Sequence, residues 1–231
     1  MGVEVVNFRL SFRGKPAGTH VIKTEVAGKV RRMESRASFQ GPIGDSVVTQ
    51  RSRSSVQHHH SIRYREETQQ REGKRVYDVH FDSQSGLVHA TTGSKDVATA
   101  PYIRPYRDPL SLLGQVRALA GSSATGIAML GKDVSVQYAG EVDLSTALGE
   151  RRAWAYVLHP GGSVVYVDTT GSHVILKMTQ RLPEGHLDSL VVSVASEATM
   201  ETFGEEQRGS GKRNTSSRRR GRRRPRRRKR G

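Results

Sequence analysis

Alternation of apolar and polar side chains, broken by a turn every 8–14 residues, is the feature that most restricts what this chain can become. In 3–12, Val6, Phe8, Leu10 and Phe12 fall on one face and Asn7, Arg9 and Ser11 on the other. Side chains that repeat every second residue belong to a strand with one dry and one wet face. Gly14-Lys15-Pro16-Ala17-Gly18 reads as a turn, after which Ile22 and Val26 resume the apolar face up to Ala27-Gly28-Lys29. Met33, Ala37 and Phe39 alternate with Arg32, Glu34 and Ser38, and Gly41-Pro42 ends that strand. Residues 48–53 and 56–65 read as a pair with wet outer faces. Further strands are predicted over 77–81, 87–91, 126–130, 134–138, 153–158, 164–167, 174–178 and 190–194.

One segment breaks this rhythm. Asp108-Pro109-Leu110-Ser111-Leu112-Leu113 opens with an N-cap aspartate and a proline at the first helical position, and Gly121 closes it. Leu112, Leu113, Val116 and Ala120 form one stripe, so a short amphipathic helix over about 109–120 should lie on the sheet. About ten to twelve strands and one helix make the chain mainly β: a curved antiparallel sheet or half-open β-barrel wrapping the helix. The β-domain is predicted over residues 1–200, followed by a separate segment at 201–231.

The charge supports that division. The chain of 231 residues carries 38 Lys+Arg and 22 Asp+Glu, a formal net charge of +16. Fourteen of the basic residues lie in 208–231, which contains no acid, so the first 207 residues are left with 24 basic against 22 acidic. Within that body, residues 1–75 hold 15 basic and 7 acidic residues and 76–207 hold 9 and 15. After Phe203 the only apolar side chain is Pro225. A segment of this kind cannot offset its ordering entropy by burial, so the expectation for 201–231 is a disordered tail.

Arg218, Arg219, Arg220, Arg222, Arg223, Arg224, Arg226, Arg227, Arg228, Lys229 and Arg230 are the candidate nucleic-acid-binding residues. Guanidinium forks grip phosphate oxygens two at a time. No aromatic side chain interleaves them, so base stacking is missing and binding without sequence preference is expected. An anionic lipid surface is the other polyanion such a tail would meet.

Other classes are excluded or weakened by composition. No run of about 18 apolar residues occurs, which leaves no transmembrane helix. With no cysteine there is no disulfide framework, thiolate nucleophile or Cys-ligated metal. The first ten residues lack a basic patch followed by an apolar stretch, so a cytoplasmic location is expected as the chain is written, and a periplasmic or envelope one if the N-terminus is truncated.

The paired glycines of the first turn, the Phe81-Asp82 strand end and Asp108-Pro109-Leu110-Ser111-Leu112-Leu113-Gly114-Gln115-Val116-Arg117 together resemble a bacterial domain of unknown function, DUF3108, over about 1–198. The resemblance implies a half-open β-barrel related to lipoprotein-carrier-like folds, usually in exported proteins. The arginine-rich tail is an addition to that pattern.

Three constellations in the body invite a chemical reading. His58-His59-His60 on a strand would send His58 and His60 to one face, with Glu66 and Glu67 as the nearest further metal ligands; exposed strand histidines, cationic near pH 6, are the plainer expectation. Arg51 with Arg53, and Arg63 with Arg65, share faces of neighbouring strands and form a candidate secondary basic face; the plainer expectation is a solvated strand face balanced by Glu34, Glu66 and Glu67. Trp154 and Tyr156 point into the concave side, where they would pack in the core or line a ligand. Asp78 with Asp82 and Glu141 with Asp143 read as surface strand ends rather than acid/base pairs.

Gly204 to Gly209 mimics phosphate-loop spacing, but Ser210 stands where lysine is needed. No nucleophile elbow, zinc helix or dinucleotide fingerprint occurs. The expectation is a non-enzymatic protein with no cofactor, no metal and no catalytic residue. Its tail would bind nucleic acid or another polyanion. The alternative is an envelope or carrier module that holds a lipid-like apolar ligand in the β-concavity while the tail contacts anionic lipid.

Overall fold

The computed structural model describes residues 2–93 and 95–196, with the side chains of 95–97 left aside. The tail residues named above, Arg218 to Arg230, and the Gly204–Gly209 spacing lie outside the described residues.

Fourteen strands form one antiparallel sheet. The first eight are β1 (Gly2–Phe12), β2 (Lys15–Ala27), β3 (Val30–Phe39), β4 (Ser46–Ser55), β5 (Ser61–Gln70), β6 (Gly73–Asp82), β7 (Leu87–Thr92) and β8 (Lys95–Pro101). Helix α1 (Pro109–Arg117) follows. The chain then continues through β9 (Ala124–Met129), β10 (Lys132–Thr146), β11 (Gly149–His159), β12 (Ser163–Asp168), β13 (Ile175–Leu182) and β14 (Gly185–Ser196). Two meanders, β1 to β8 and β9 to β14, join where β1 pairs with β14. β8 and β9 are the free ends of the sheet, which does not close into a barrel.

The strand count exceeds the ten to twelve expected. Lys95–Pro101 is not among the expected strands, since an edge strand with a proline at its end and no apolar alternation carries little signal. In β2, the expected turn at 14–18 is only the two residues Arg13 and Gly14, and Gly18 belongs to the strand. Gly18 has φ +128, and a Cβ there would sit 1.9 Å from the Ser38 carbonyl oxygen, so no other residue fits.

Burial explains why the sheet curves around the helix. Val6, Phe8, Ile22 and Met33 from β1 to β3 meet Leu110, Leu112 and Val116 of α1 in the main core. Val136, Tyr156, Val167, Leu176 and Val191 close it from the other half. A second cluster gathers Tyr64, Val79, Phe81 and Val88 with Tyr102 and Tyr106, and a third gathers Leu10, Phe12, Ala17 and Leu187. Trp154 and Tyr156 belong to the main core at the C-terminal end of the helix, where the Tyr156 hydroxyl accepts a hydrogen bond from the Gly121 N–H at 2.7 Å.

Helix α1 stops at Arg117, with Ala118 as its C-cap, three residues short of the expected end. The ladder ends there because the Ala118 and Leu119 N–H groups bond three residues back and Ala120 takes φ +45, and Arg117 anchors the end so formed. Its guanidinium holds both Glu4 oxygens, at 2.6 and 3.0 Å, and donates to the carbonyls of Ser172 and His173. A cation at the helix C-terminus is favourable in itself, and this one also ties the helix to β1 and to the β12–β13 turn.

Candidate functional site

The N-terminal end of α1 is pinned by a buried knot. Asp108, 3% exposed, accepts from the backbone N–H groups of Leu110 and Ser111, both at 2.9 Å. Its second oxygen accepts from Ser52 of β4 at 2.8 Å and Ser61 of β5 at 2.5 Å. The Ser111 hydroxyl accepts from the Asp108 N–H, which completes a capping box. One side chain thus caps the helix and fastens it to two strands.

Beyond this knot the helix and the sheet do not fill the space between them. A cavity of about 520 Å³ remains, floored by Leu10, Ala37, Leu112, Val134 and Val165. Phe39, Val48, Leu113, Met129, Leu158 and Met178 on its walls are only half-buried: all but Val48 pack on a core cluster with part of their surface, and all six line the cavity. The exposed members of the lining, Pro109, Lys132, Pro160 and Gln180, mark its mouth. The volume lies in the range of small-molecule sites.

Among the described residues, His20 is the one titratable group inside the mouth. Its Nε2 lies 2.8 Å from the Ser35 hydroxyl, and its ring stacks on Phe8 at 5.4 Å. Burial holds its imidazole down to about 4. A folded-state value below the ordinary 6.5 means that the unfolded chain takes up the proton first. The stability that neutral His20 confers is complete above pH 6.5 and is lost as pH falls toward 4. We expect about 3 kcal/mol to disappear over that window. Urea unfolding of the wild type and of His20→Gln, which keeps a partner for Ser35, should show the steeper acid loss in the wild type. Parallel curves would rule this out.

The candidate basic face assembles on the opposite, outer side of the sheet. Arg51 pairs with Arg65 and Arg53 with Arg63 across β4 and β5. The second pair extends into an in-register row from Arg32 through Arg53 and Arg63 to His80 and His89. Carboxylates answer most of it. Arg51 meets Glu34 and Glu67, Arg63 meets Asp78 at 2.7 Å, Arg65 meets Glu67 and Asp78, and Arg32 meets Glu25. Among the described residues Arg53 alone of the four candidates has no carboxylate within 4.0 Å. Of the balancing acids expected from the sequence, Glu34 and Glu67 meet these arginines, whereas Glu66 is taken by Gln50 and Tyr64; Glu25 of β2 and Asp78 of β6 are partners the sequence did not point to.

The histidine run differs from expectation. Residues 56–58 form a turn and His59 takes φ +56, so β5 begins only at Ser61 and the three rings are not on a strand. His58 and His60 stack at 5.9 Å, while the His59 Nδ1 lies 2.9 Å from Arg31 Nη1. Burial, with Arg31 and Arg107 next, holds His59 down to about 4, and burial with Arg107 lowers His60. The His59 ring therefore stays neutral near pH 6 instead of adding to a basic face. Glu66 is occupied by Gln50 and Tyr64, and Glu67 by Arg65 and Lys74, so neither is brought to the histidines.

The carboxylate pairs are dispersed in the same way. Asp78 holds Arg63 and Arg65, Asp82 accepts from the N–H groups of Gln84 and Ser85, and Glu141 binds Arg152.

His20 and Lys132 were not singled out from the sequence. The signal for His20 was faint: it shares the period-2 face of Ile22. Lys132, next to the Leu130-Gly131 turn, gave none.

Comparison with known proteins agrees with this architecture. The family model described as "Protein of unknown function (DUF3108)" matches residues 7–193. The crystal structure of a beta-barrel-like protein of the domain of unknown function DUF1849 from Brucella abortus superposes with a TM-score of 0.57 at 9% identity, over 84% of this chain and 98% of that one. No curated protein matches the sequence.

Proposed function

The chain belongs to the DUF3108 family of proteins of unknown function, and from that premise we propose that its β-body is a non-catalytic module that holds an apolar chain between sheet and helix. The observation that carries this reading is the cavity of about 520 Å³ whose walls present half-buried Phe39, Val48, Leu113, Met129, Leu158 and Met178. Apolar surface left facing water forgoes about 25 cal/mol per Å² of burial, and an apolar occupant recovers it.

The His20–Ser35 pair supports binding rather than catalysis. A general base works best with a pKa near the working pH, held in place by a third group. His20 sits at about 4, and among the described residues no carboxylate hydrogen-bonds to its ring.

The test is saturable enhancement of N-phenyl-1-naphthylamine fluorescence by the full-length protein, together with the same titration of Leu113→Trp. The indole would fill the cavity from its half-buried wall and should weaken binding by about tenfold or more, equivalent to about 1.4 kcal/mol. If the wild type gives no saturable signal, or a folded Leu113→Trp protein gives the same one, the reading is wrong.

A second reading concerns the tail and stands on composition: fourteen basic residues and no acid in 208–231. We propose that this segment binds nucleic acid without sequence preference, through Arg218 to Arg230. The two readings are compatible, since one concerns the body and the other an extension of it.

A further inference from the structure

Resting on the carrier reading above, we propose that the cavity's occupant is a single-chain amphiphile with an anionic head, its chain inside and its head on the Lys132 ammonium at the mouth. The wall chemistry leads there. Among the described residues that line the cavity, only Lys132 is charged at neutral pH. The polar groups farther in, Ser35, Gln50, Thr179 and Ser189, are neutral, and His20 is occupied by Ser35. A charged head cannot be left among such groups, because an isolated ion buried without a partner is costly. The head must therefore stay where water reaches, and the chain must run inward.

The sign of the head follows from what stands at the opening. Lys132 begins β10, directly opposite Met129 of β9, which also lines the cavity. Its stem can lie along apolar wall while the ammonium stays in water, as long basic side chains do at apolar–aqueous boundaries. No carboxylate lies within 4.0 Å of it among the described residues. Its neighbour Asp133 is held instead by Arg104, at 2.5 and 3.2 Å. The helix N-terminus nearby offers no second anion site, since Asp108 already takes the N–H groups of Leu110 and Ser111. One free cation beside an apolar cavity complements one anionic head.

Palmitate and hexadecanol share a chain and differ in the head, so the pair isolates this interaction. Each would be titrated against the probe-loaded, full-length protein and against Lys132→Glu, at physiological salt. Because the arginine-rich segment is the same in both proteins, its general attraction for anions cancels in the comparison.

The wild type should bind palmitate about fivefold more tightly than hexadecanol, the size expected for one solvent-exposed ion pair. Lys132→Glu should lose about tenfold in palmitate affinity and much less in hexadecanol affinity, so that the preference for palmitate disappears. Equal binding of the two ligands by the wild type, or an undiminished palmitate affinity in Lys132→Glu, would overturn the anionic-head assignment and leave the carrier reading standing. Failure of the wild type to bind either ligand would remove both.

Discussion

Deleting residues 208–231 is expected to lower affinity for duplex DNA or RNA by about three orders of magnitude or more at physiological salt. The segment holds fourteen basic residues, eleven of them between Arg218 and Arg230, against a body that is nearly balanced in charge. Each phosphate neutralised on duplex DNA releases counterions and contributes about −0.9 to the slope of log affinity against log salt, and about −0.7 on a single strand. If six to ten arginines engage at once, the full chain should show a slope of about −5 to −9. The shortened chain should fall to about −1 or −2, whatever the outer arginine row of β3 to β5 supplies. Fluorescence anisotropy with a labelled oligonucleotide over a salt series measures both quantities together. The affinity of the full chain should also be indifferent to base sequence, because no aromatic side chain stands among these arginines to stack on bases. A shortened protein that kept the same affinity and slope would assign the binding to the body and overturn the tail reading.

The second large effect is expected at Asp108. Replacing it by alanine removes an N-cap, worth about 1–2 kcal/mol. It also leaves the buried Ser52 hydroxyl without its acceptor, at about 1–3 kcal/mol for a group left unpaired, and forces the Ser61 hydroxyl to turn to Ser111, 2.9 Å away. Together these losses should reach about 4 kcal/mol, a large share of the 5–15 kcal/mol that holds an ordinary domain together. The measurement is the urea midpoint at constant slope.

Asp108→Asn separates charge from geometry. Burial raises the Asp108 carboxyl above its ordinary range, against the pull of four hydrogen bonds that favour the charged form. With the folded value above the unfolded one, the stabilising contribution is complete below the ordinary range near 3.8 and is lost as pH rises through the raised value. Asn carries no titrating proton, so the wild type should gain on Asp108→Asn as the solution is made more acidic. Asp108→Asn should cost far less than Asp108→Ala at neutral pH. An alanine variant within 1 kcal/mol of the wild type would show that the knot is not what seats the helix.

Sequence and structure agree where the signal is local. The alternation of Val6, Phe8, Leu10 and Phe12 gave β1, because a two-residue repeat has only one backbone that can bury it. Asp108-Pro109 gave the start of α1, because an N-cap acceptor and a residue with no N–H to lose are both local requirements. Arg51, Arg53, Arg63 and Arg65 could be placed on a shared face from their spacing alone. The histidine run could not be placed. Nothing in Val56 to His60 announces a turn except that histidine tolerates positive φ somewhat better than most residues, and His59 does so here beside Arg31.

By itself, then, the sequence determined most of the strands, where the helix begins and that charge is concentrated after residue 207. Each of these depends on neighbours along the chain. Only the tertiary structure decided that Asp108 meets Ser52 and Ser61, that Glu25 and Asp78 join the outer arginines, and that a cavity opens beside Lys132. Those outcomes depend on strand register and on how far a curved sheet stands from the helix it encloses. Register and curvature are set by the packing of residues far apart in the chain, and a void between packed elements has no residues of its own to announce it.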